Sequence, residues 1–221
     1  MSSMPPTATA ATPAVREVGM KLHLDPRDLG RALTLPGLAA GEQDEGEPDV
    51  RRLRTVYFDT PDLRLYANGV ALRVRQDGDR FIQTLKTVNA ATPNDSAAVT
   101  VRKAWDWPVA GAAPDLGLLN AEGVAALVPE DARAALAPVF TTDVQRTTRL
   151  IRPDALTAIA VMVDEGQITA GTACARIAEV EFELKSGRVG RLFDTALAIQ
   201  RAMPARIGTE SKAEVAYRLV T

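Results

Sequence analysis

Residues 177–184 read IAEVEFEL, the clearest alternation of polar and apolar side chains in the chain. Successive side chains of a β-strand point to opposite faces, so Glu179, Glu181 and Glu183 share one face and apolar residues share the other. Neighbouring carboxylates on that face stand about 6.6 Å apart. At that distance each pair repels by about 2.5 kcal/mol at an effective dielectric of about 20. Either water screens this face on an exposed sheet, or the face is enclosed and cations balance it.

Residues 70–76 show the same period with the opposite charge. Arg73 and Arg75 share one face of this predicted strand, and apolar residues take the other. Further cations lie on other predicted strands: Lys21, Lys86, Arg102 and Arg146. Should these faces converge inside a closed barrel, the interior has a basic side and an acidic side. Such an interior suits a polyanion, because arginine and lysine bind phosphate oxygens while carboxylates bind the divalent cations that bridge them.

Period-two segments recur along most of the chain and predict an antiparallel sheet. The predicted strands are 15–24, 54–58, 70–76, 81–87, 99–107, 143–151, 158–163, 167–170, 176–185 and 213–220, with a turn at 164–166. Helices are predicted over about 26–35, over 188–203 and, as two short pieces, within 120–138. Trp105 and Trp107 are expected to pack outside the sheet against a helix. Many strands with a few inserted helices indicate an α+β domain, most simply a closed or nearly closed antiparallel barrel.

The composition excludes several classes of protein. With 221 residues, 46% of them hydrophobic and 24% charged, the chain can bury a full core, which excludes disorder, collagen and coiled coil as descriptions of the whole. A formal net charge of −2 argues against a protein that coats DNA. The sequence lacks an apolar run of about eighteen residues, so no membrane span is predicted, and the single Cys174 indicates a reduced, cytoplasmic protein. Residues 1–14 are expected to form a disordered tail and residues 15–221 a single domain.

A series of short motifs follows in a consistent order. The first is Glu17-Val-Gly-Met-Lys21, which resembles an ExExK signature. The others are YFDTPD at 57–62, ALRVR at 71–75, TLK at 84–86, Arg102, FTTDVQR at 140–146, VDEG at 163–166, EVEFEL at 179–184 and SKAE at 211–214. In this order the chain resembles the CYTH domains, or triphosphate tunnel metalloenzymes, from about Glu17 to Leu219.

The resemblance implies an eight-stranded antiparallel β-barrel with peripheral helices, whose tunnel binds triphosphate compounds with Mg²⁺ or Mn²⁺. Members of the family hydrolyse inorganic triphosphate or thiamine triphosphate, cyclise ATP, or remove the 5′ phosphate of RNA. The implied metal ligands are Glu17, Glu181 and Glu183, with Asp164 and Glu179 near them. The implied phosphate-binding residues are Lys21, Arg73, Arg75, Lys86, Arg102, Arg146 and Lys212, and the implied catalytic residues are Glu17 and Lys21.

Three places depart from the family pattern. Gly19 stands where the second glutamate of ExExK is expected, and Ala104 stands at the glutamate of an RxE motif that begins at Arg102. The end of an SKxxRG motif reads Val215-Ala216. These changes fall at site positions and leave the apolar alternation intact, so the same fold is expected and catalysis is the open question.

Three functions stay open at this point. The first is metal-dependent hydrolysis of inorganic triphosphate or a related triphosphate compound. The second is a tunnel that binds polyphosphate or a nucleotide without turnover, which the departures would allow. The third is adenylate cyclase or thiamine triphosphatase activity. The expected partner is a triphosphate or polyphosphate small molecule, with neither DNA nor a membrane, and the chain is expected as a monomer or homodimer.

Overall fold

The structure is a computed structural model that describes residues 15–35, 47–87, 99–121 and 123–220. In this part of the chain the strands are β1 (Val15–Leu24), β2 (Asp49–Asp59), β3 (Val70–Asp77), β4 (Arg80–Thr87), β5 (Thr100–Val109), β6 (Ala137–Asp154), β7 (Thr157–Ala170), β8 (Ala173–Ser186) and β9 (Ala205–Gly208). The α-helices are α1 (Leu29–Ala32), α2 (Arg64–Ala67), α3 (Glu130–Arg133), α4 (Gly190–Ala202) and α5 (Lys212–Val220). Short 3₁₀ helices, Pro26–Asp28 and Leu116–Asn120, precede α1 and α3. The predicted tail 1–14 lies outside the described residues.

The strands pair edge to edge around a closed ring. Their antiparallel order is β5-β4-β3-β2-β6-β7-β8-β1, and β1 pairs back onto β5. Strand β9 adds a short pairing to β1 outside this ring. The prediction of an eight-stranded antiparallel barrel with peripheral helices is therefore confirmed. Among the described residues, no helix is both long enough and apolar enough to cross a membrane.

Strand β1 closes the barrel by changing neighbours along its length. Its first half, Val15 to Gly19, pairs with β5, and its second half, Gly19 to His23, pairs with β8. Gly19 lies where the two pairings meet. A Cβ atom at this position would lie 2.6 Å from the carbonyl oxygen of Phe182 on β8. Glycine therefore allows the two backbones to approach closely at the closure point.

Apolar side chains on the outer faces of β1, β7 and β8 pack beneath α1 and α4. This first outer core contains Leu22, Leu29, Ile159, Val180, Phe182, Leu192 and Ile199 among others. The helix predicted over 188–203 is confirmed as α4, and its apolar face supplies two of these residues. The outward positions of β1 and β8 are thus the apolar ones, which leaves their alternate, charged positions for the lumen.

A second outer core covers β2 to β5. Trp105 and Trp107 of β5 are buried there against residues that follow β5 in the chain, among them Leu119, Val128 and Ala132. The prediction that both tryptophans pack outside the sheet is confirmed. Of the two short helices predicted within 120–138, only α3 forms among the described residues.

Helix α5 fills one end of the lumen, and the strand predicted over 213–220 is wrong. Ala213, Ala216 and Tyr217 recur at helical spacing, and they pack against apolar residues inside the barrel. Those residues include Tyr57, Phe140, Val144, Ile168 and Ile177. The segment is helical because this spacing buries one continuous apolar face against the barrel wall.

The turn predicted at 164–166 is also wrong, because these residues lie within the continuous strand β7. Gly166 is not a turn residue there. A Cβ atom at Gly166 would overlap the carbonyl oxygen of Asp143 on β6, so glycine allows the two strands to approach. The turn lies instead at Gly171, whose φ of +56° is in the left-handed region that favours glycine.

Candidate active site

The barrel lumen holds a cavity of about 340 Å³. The cations expected to bind phosphate all line it: Lys21, Arg73, Arg75, Lys86, Arg102, Arg146 and Lys212. Glu17, Glu181 and Glu183 line it as well. The charged faces of strands that are distant in sequence therefore converge on one enclosed space.

The strand register determines which charges meet in the lumen. Lys21 on β1 lies opposite Glu181 on β8. Asp164 on β7 lies opposite Arg146 on β6 and opposite Glu179 on β8. Side chains in directly opposed positions of antiparallel strands have Cβ atoms about 5 Å apart, so opposite charges placed there can pair.

Three of the carboxylates form an acidic cluster, which consists of Asp164, Glu179 and Glu181. One oxygen atom of each lies within 4.8 Å of the others. Asp164 is 0% exposed and Glu179 is 3% exposed, so water does little to screen them. Like charges buried at this distance require compensating cations.

Two cations on the barrel wall compensate the acidic cluster. The Lys21 ammonium donates to Oε1 of Glu181 at 3.0 Å and to Oε1 of Glu179 at 3.2 Å. Arg146 donates from Nε and Nη2 to the two oxygens of Asp164, at 2.7 and 2.6 Å. The same Nη2 reaches Oε2 of Glu181 at 2.7 Å. The paired contacts to Asp164 fix the guanidinium in one orientation.

Lys212, the first residue of α5, supplies the third cation. Its Nζ lies 2.6 Å from Oδ2 of Asp164 and 3.2 Å from Oε1 of Glu181, and it also contacts Glu179. Burial alone would lower the pKa of this ammonium, but Glu179, Glu181 and Asp164 raise the pKa above its ordinary value. Lys212 therefore stays charged at neutral pH.

The same contacts keep the carboxylates ionised. Burial would raise the pKa of Glu181, but Lys212, Lys21 and Arg146 hold it well below its usual value. For Asp164 the effect of burial is likewise outweighed, by Lys212 and Arg146, and the pKa is lowered. Both side chains thus offer anionic oxygens at neutral pH.

Across the lumen, the strands β3, β4 and β5 present a basic wall, which consists of Arg73, Arg75, Lys86 and Arg102. Among the described residues, the buried Nε atoms of Arg73 and Arg102 have no hydrogen-bond partner. A buried N–H group without an acceptor is uncommon and costs about 1–3 kcal/mol. Two such groups at one cavity indicate that the wall is arranged for an acceptor outside the protein, such as a phosphate oxygen.

The basic wall also carries charge that the protein compensates poorly. Burial, with repulsion from Arg73 and Arg146, lowers the pKa of Arg75 to about 9. Burial and Arg73 also lower the pKa of Lys86, although Glu17 accepts a hydrogen bond from its ammonium at 2.6 Å. Both shifts have the direction that a bound anion would reverse.

The five carboxylates expected near a metal do not all lie together. Asp164, Glu179 and Glu181 form the acidic cluster, whereas Glu17 binds Lys86 of the basic wall. Glu183 accepts a hydrogen bond from Lys185 at 2.6 Å. The structure thus places Glu17 and Glu183 at the cavity and outside this cluster.

The cavity also contains polar residues to which the sequence pattern assigned no site role. Thr84 and Asp106 line it, and the Thr84 hydroxyl donates to Oδ1 of Asp106 at 2.6 Å. Strand alternation contained the signal, because Thr84 is two positions from Lys86 and Asp106 is four positions from Arg102, which places them on the lumen faces.

The acidic cluster fits a divalent cation by its donor chemistry. Carboxylate oxygens are the ligands that Mg²⁺ and Mn²⁺ prefer, and three of them converge here. The oxygens are already held by lysine and arginine, so any metal would have to share or replace those contacts.

One known protein family matches most of this chain. Residues 17–217 match the CYTH domain family. The chain belongs to the CYTH domain family. The match covers every strand of the barrel except the first two residues of β1, together with most of α5. It therefore includes both the acidic cluster and the basic wall.

Individual relatives of this CYTH domain have low sequence identity to it. An inorganic triphosphatase from Haemophilus influenzae is 31% identical over 168 residues, which is 76% of this chain and 46% of that protein. The chain thus spans about half the length of that relative.

Two solved structures share the fold with a TM-score of 0.60. One is a Hippeastrum adenylyl cyclase described as having a dominant triphosphatase activity, 16% identical, with 91% of this chain and 95% of that chain covered. The other is a Bacillus halodurans protein described as an adenylate cyclase, 18% identical, with 92% and 98% covered.

Proposed function

We propose that this CYTH domain binds a linear triphosphate in its lumen and hydrolyses it with Mg²⁺ or Mn²⁺. One observation carries the proposal: the basic wall, with two unsatisfied buried N–H groups, lines the same cavity as Glu181, the member of the acidic cluster that reaches the lumen surface. A chain of phosphates is the ligand that supplies acceptor oxygens to one side and metal-bridging oxygens to the other.

The residues of the basic wall would bind and orient the phosphates. The Nε groups of Arg73 and Arg102 would donate to phosphate oxygens. Arg75 would gain a counter-charge, and Lys86 would gain a second one beside Glu17. Several fixed cations hold a flexible anion in one geometry, which lowers the entropic part of the barrier to attack in line with the leaving group.

The acidic cluster would hold the metal. When bound, a divalent ion supplies positive charge that stabilises the leaving phosphate and activates the attacking water. Lys21 lies between Glu179 and Glu181, and we propose that it acts with Glu17 as a catalytic residue by contacting the substrate at the border of the two charged regions.

Inorganic triphosphate is the substrate that the cavity supports best. The relative named an inorganic triphosphatase matches 76% of this chain. Among the described lining residues the aromatic side chains are Tyr57 and Phe182. Tyr57 is stacked on Phe140 with ring centroids 4.5 Å apart, and Phe182 is buried in the first outer core. Neither ring is placed to stack on a nucleotide base, so we propose a substrate without a base.

A second candidate is a domain that binds triphosphate or polyphosphate without turnover. The observation that favours it is Gly19, because the carbonyl of Phe182 leaves no room for a side chain at the place where the family pattern has a glutamate. The phosphate-binding cations are all retained in this case. The two candidates therefore differ in hydrolysis and agree on binding.

The deciding experiment is phosphate release from inorganic triphosphate, scanned over Mg²⁺ and Mn²⁺. We expect turnover by the wild-type chain and a loss of about a hundredfold or more in Glu181→Gln, the scale of removing a charged group that acts in the transition state. The matched control is Glu165→Gln, which removes a carboxylate that pairs with Arg176 on the outside of the barrel. Binding of triphosphate with no release above a buffer blank would favour the second candidate. A lack of both would reject the first and the second.

A further inference from the structure

The ammonium of Lys212 occupies the centre of the acidic cluster. It contacts one oxygen from each member: Oδ2 of Asp164, Oε1 of Glu179 and Oε1 of Glu181. The same three residues each bring one oxygen within 4.8 Å of the others. A divalent cation bound by all three carboxylates would need the position that this ammonium holds.

The charges around the cluster are balanced. Its three carboxylates meet three cations, Lys21, Arg146 and Lys212. A divalent ion that entered beside all three would be repelled by each of them in a poorly hydrated site. Metal binding therefore becomes more favourable when one of these cations moves away.

Lys212 is the cation that can leave most easily. Arg146 is fixed by paired hydrogen bonds to Asp164, and Lys21 projects from the middle of a strand that is paired on both edges. Lys212 is instead the first residue of a helix, on a flexible four-carbon side chain. It also lines the cavity, so its ammonium can turn toward an anion bound there.

We propose that Lys212 and a divalent cation exclude each other at the acidic cluster, and that a triphosphate admits the metal by drawing Lys212 onto its own oxygens. Lys212 thereby acts as the counter-ion of the acidic cluster in the absence of metal, and as a phosphate ligand when metal and triphosphate are bound. The identity of the anion rests on the proposed function. The exclusion of metal by Lys212 rests only on the contacts within the cluster.

Two consequences with opposite signs follow. Without phosphate, removing the Lys212 charge should tighten metal binding, because the competing ion is gone. Without metal, the same change should weaken triphosphate binding, because one phosphate ligand is gone. A purely structural lesion would weaken both, so the pair of signs distinguishes the proposal from damage to the fold.

The first measurement is Mn²⁺ binding by the full chain in phosphate-free buffer, followed by the electron paramagnetic resonance signal of free Mn²⁺. The variants are Lys212→Met and Lys212→Gln, the second of which keeps a polar side chain in the cluster. We expect Mn²⁺ to bind about tenfold or more tightly to both variants than to the wild type, since a unit charge next to a divalent ion is removed. The control Arg176→Met removes a cation that pairs with Glu165 on the outside of the barrel, and it should change Mn²⁺ affinity by less than about threefold. Unchanged or weaker Mn²⁺ binding in both Lys212 variants would overturn the proposal.

The second measurement is calorimetry of inorganic triphosphate with the same proteins in the presence of EDTA. We expect about tenfold weaker binding in the Lys212 variants, the scale of one charge-assisted hydrogen bond. If affinity is unchanged, the ammonium does not move to the phosphate and that half of the proposal fails. If even the wild type binds no triphosphate, the proposed function fails, while the Mn²⁺ measurement still decides whether Lys212 excludes metal.

Discussion

The hydroxyl of Tyr217 on α5 donates a 2.9 Å hydrogen bond to Oδ2 of Asp59, the last residue of β2. The Asp59 carboxylate is 0% exposed, and it also accepts hydrogen bonds from the backbone N–H groups of Leu65 and Tyr66 at 2.8 and 3.0 Å. The Tyr217 ring stacks on the Tyr66 ring with centroids 4.1 Å apart. A single buried carboxylate therefore joins α2, β2 and the helix that carries Lys212.

Replacing Tyr217 with phenylalanine should test this junction. Tyr217→Phe keeps the stacked ring and leaves Asp59 with its backbone donors, while the hydrogen bond from the hydroxyl to this charged group is lost. We expect the free energy of unfolding to fall by about 1.5–3 kcal/mol, measured by urea denaturation. Tyr66→Phe is the matched control, with an expected loss below about 0.5 kcal/mol. Equal losses in both variants would contradict a special role for the Asp59 contact.

The basic wall predicts a loss of binding when one of its members is shortened. Arg73→Ala should weaken triphosphate binding by about 1.5–3 kcal/mol, because a charge-assisted hydrogen bond to phosphate is removed. Calorimetry checks this value. The control is Arg52→Ala, whose exposed guanidinium pairs with Asp143, and it should leave the affinity unchanged. An Arg73 variant that binds as well as the wild type would place Arg73 outside the phosphate-binding set.

Even a small side chain at Gly19, where the barrel closes, is expected to lower the free energy of unfolding. Gly19→Ala places a Cβ atom 2.6 Å from a backbone oxygen of the paired strand, so β1 and β8 must move apart. We expect the free energy of unfolding to fall by about 1–3 kcal/mol, the usual cost of overpacking. At Gly111 an added Cβ would meet nothing within 4 Å. Gly111→Ala is therefore the control, and a similar urea midpoint for the two alanine variants would show that the strands adjust without cost.

The stability of the fold is expected to depend on pH through Asp154, the last residue of β6. A hydrogen bond from Arg191, with others from Thr157 and Leu156, lowers the pKa of Asp154 to about 2. Because this pKa is below that of an unfolded aspartate, the carboxylate contributes stability that is complete above about pH 4 and is lost as the pH falls toward 2. The urea midpoint of the wild type should exceed that of Asp154→Asn at pH 7. This difference in midpoint, the gap, should narrow at pH 3. Asp194→Asn, which removes a second partner of Arg191, should show a small gap at both pH values. A gap for Asp154→Asn that stays constant with pH would contradict the assignment.

Alternation along the strands was sufficient to predict which side chains face the lumen. The outward positions of β1, β5 and β8 are apolar because helices cover them, and so the charged residues between them had to point inward. This is why the six expected phosphate-binding cations that lie on strands line the cavity, whereas Lys212 reaches it from α5. Periodicity alone could not show which carboxylates meet. Strand alternation gives the face of a residue, whereas its depth in a barrel depends on register and stagger, and these separate Glu17 from Glu181.

The segment at the end of the chain shows a different limit. Apolar residues at 213, 215, 217 and 219 alternate as in a strand, while those at 213, 216 and 217 also fit a helix. The choice depends on what lies opposite the segment. In the folded chain, that partner is the apolar end of the lumen around Phe140 and Ile177, which only the tertiary structure brings together.

The position of the two outer cores bears on how such a protein can change its chemistry. The residues that hold the helices to the barrel, such as Trp107 and Leu192, lie on the outer side of the wall, away from the lumen. Lumen residues on the same strands can therefore be exchanged one at a time while the scaffold stays folded. Ala104, which directly precedes the outward Trp105 and lies opposite Lys86 of β4, is at a position of this kind. In a barrel built in this way, the outward residues determine the fold, and a separate set of lumen residues determines the chemistry.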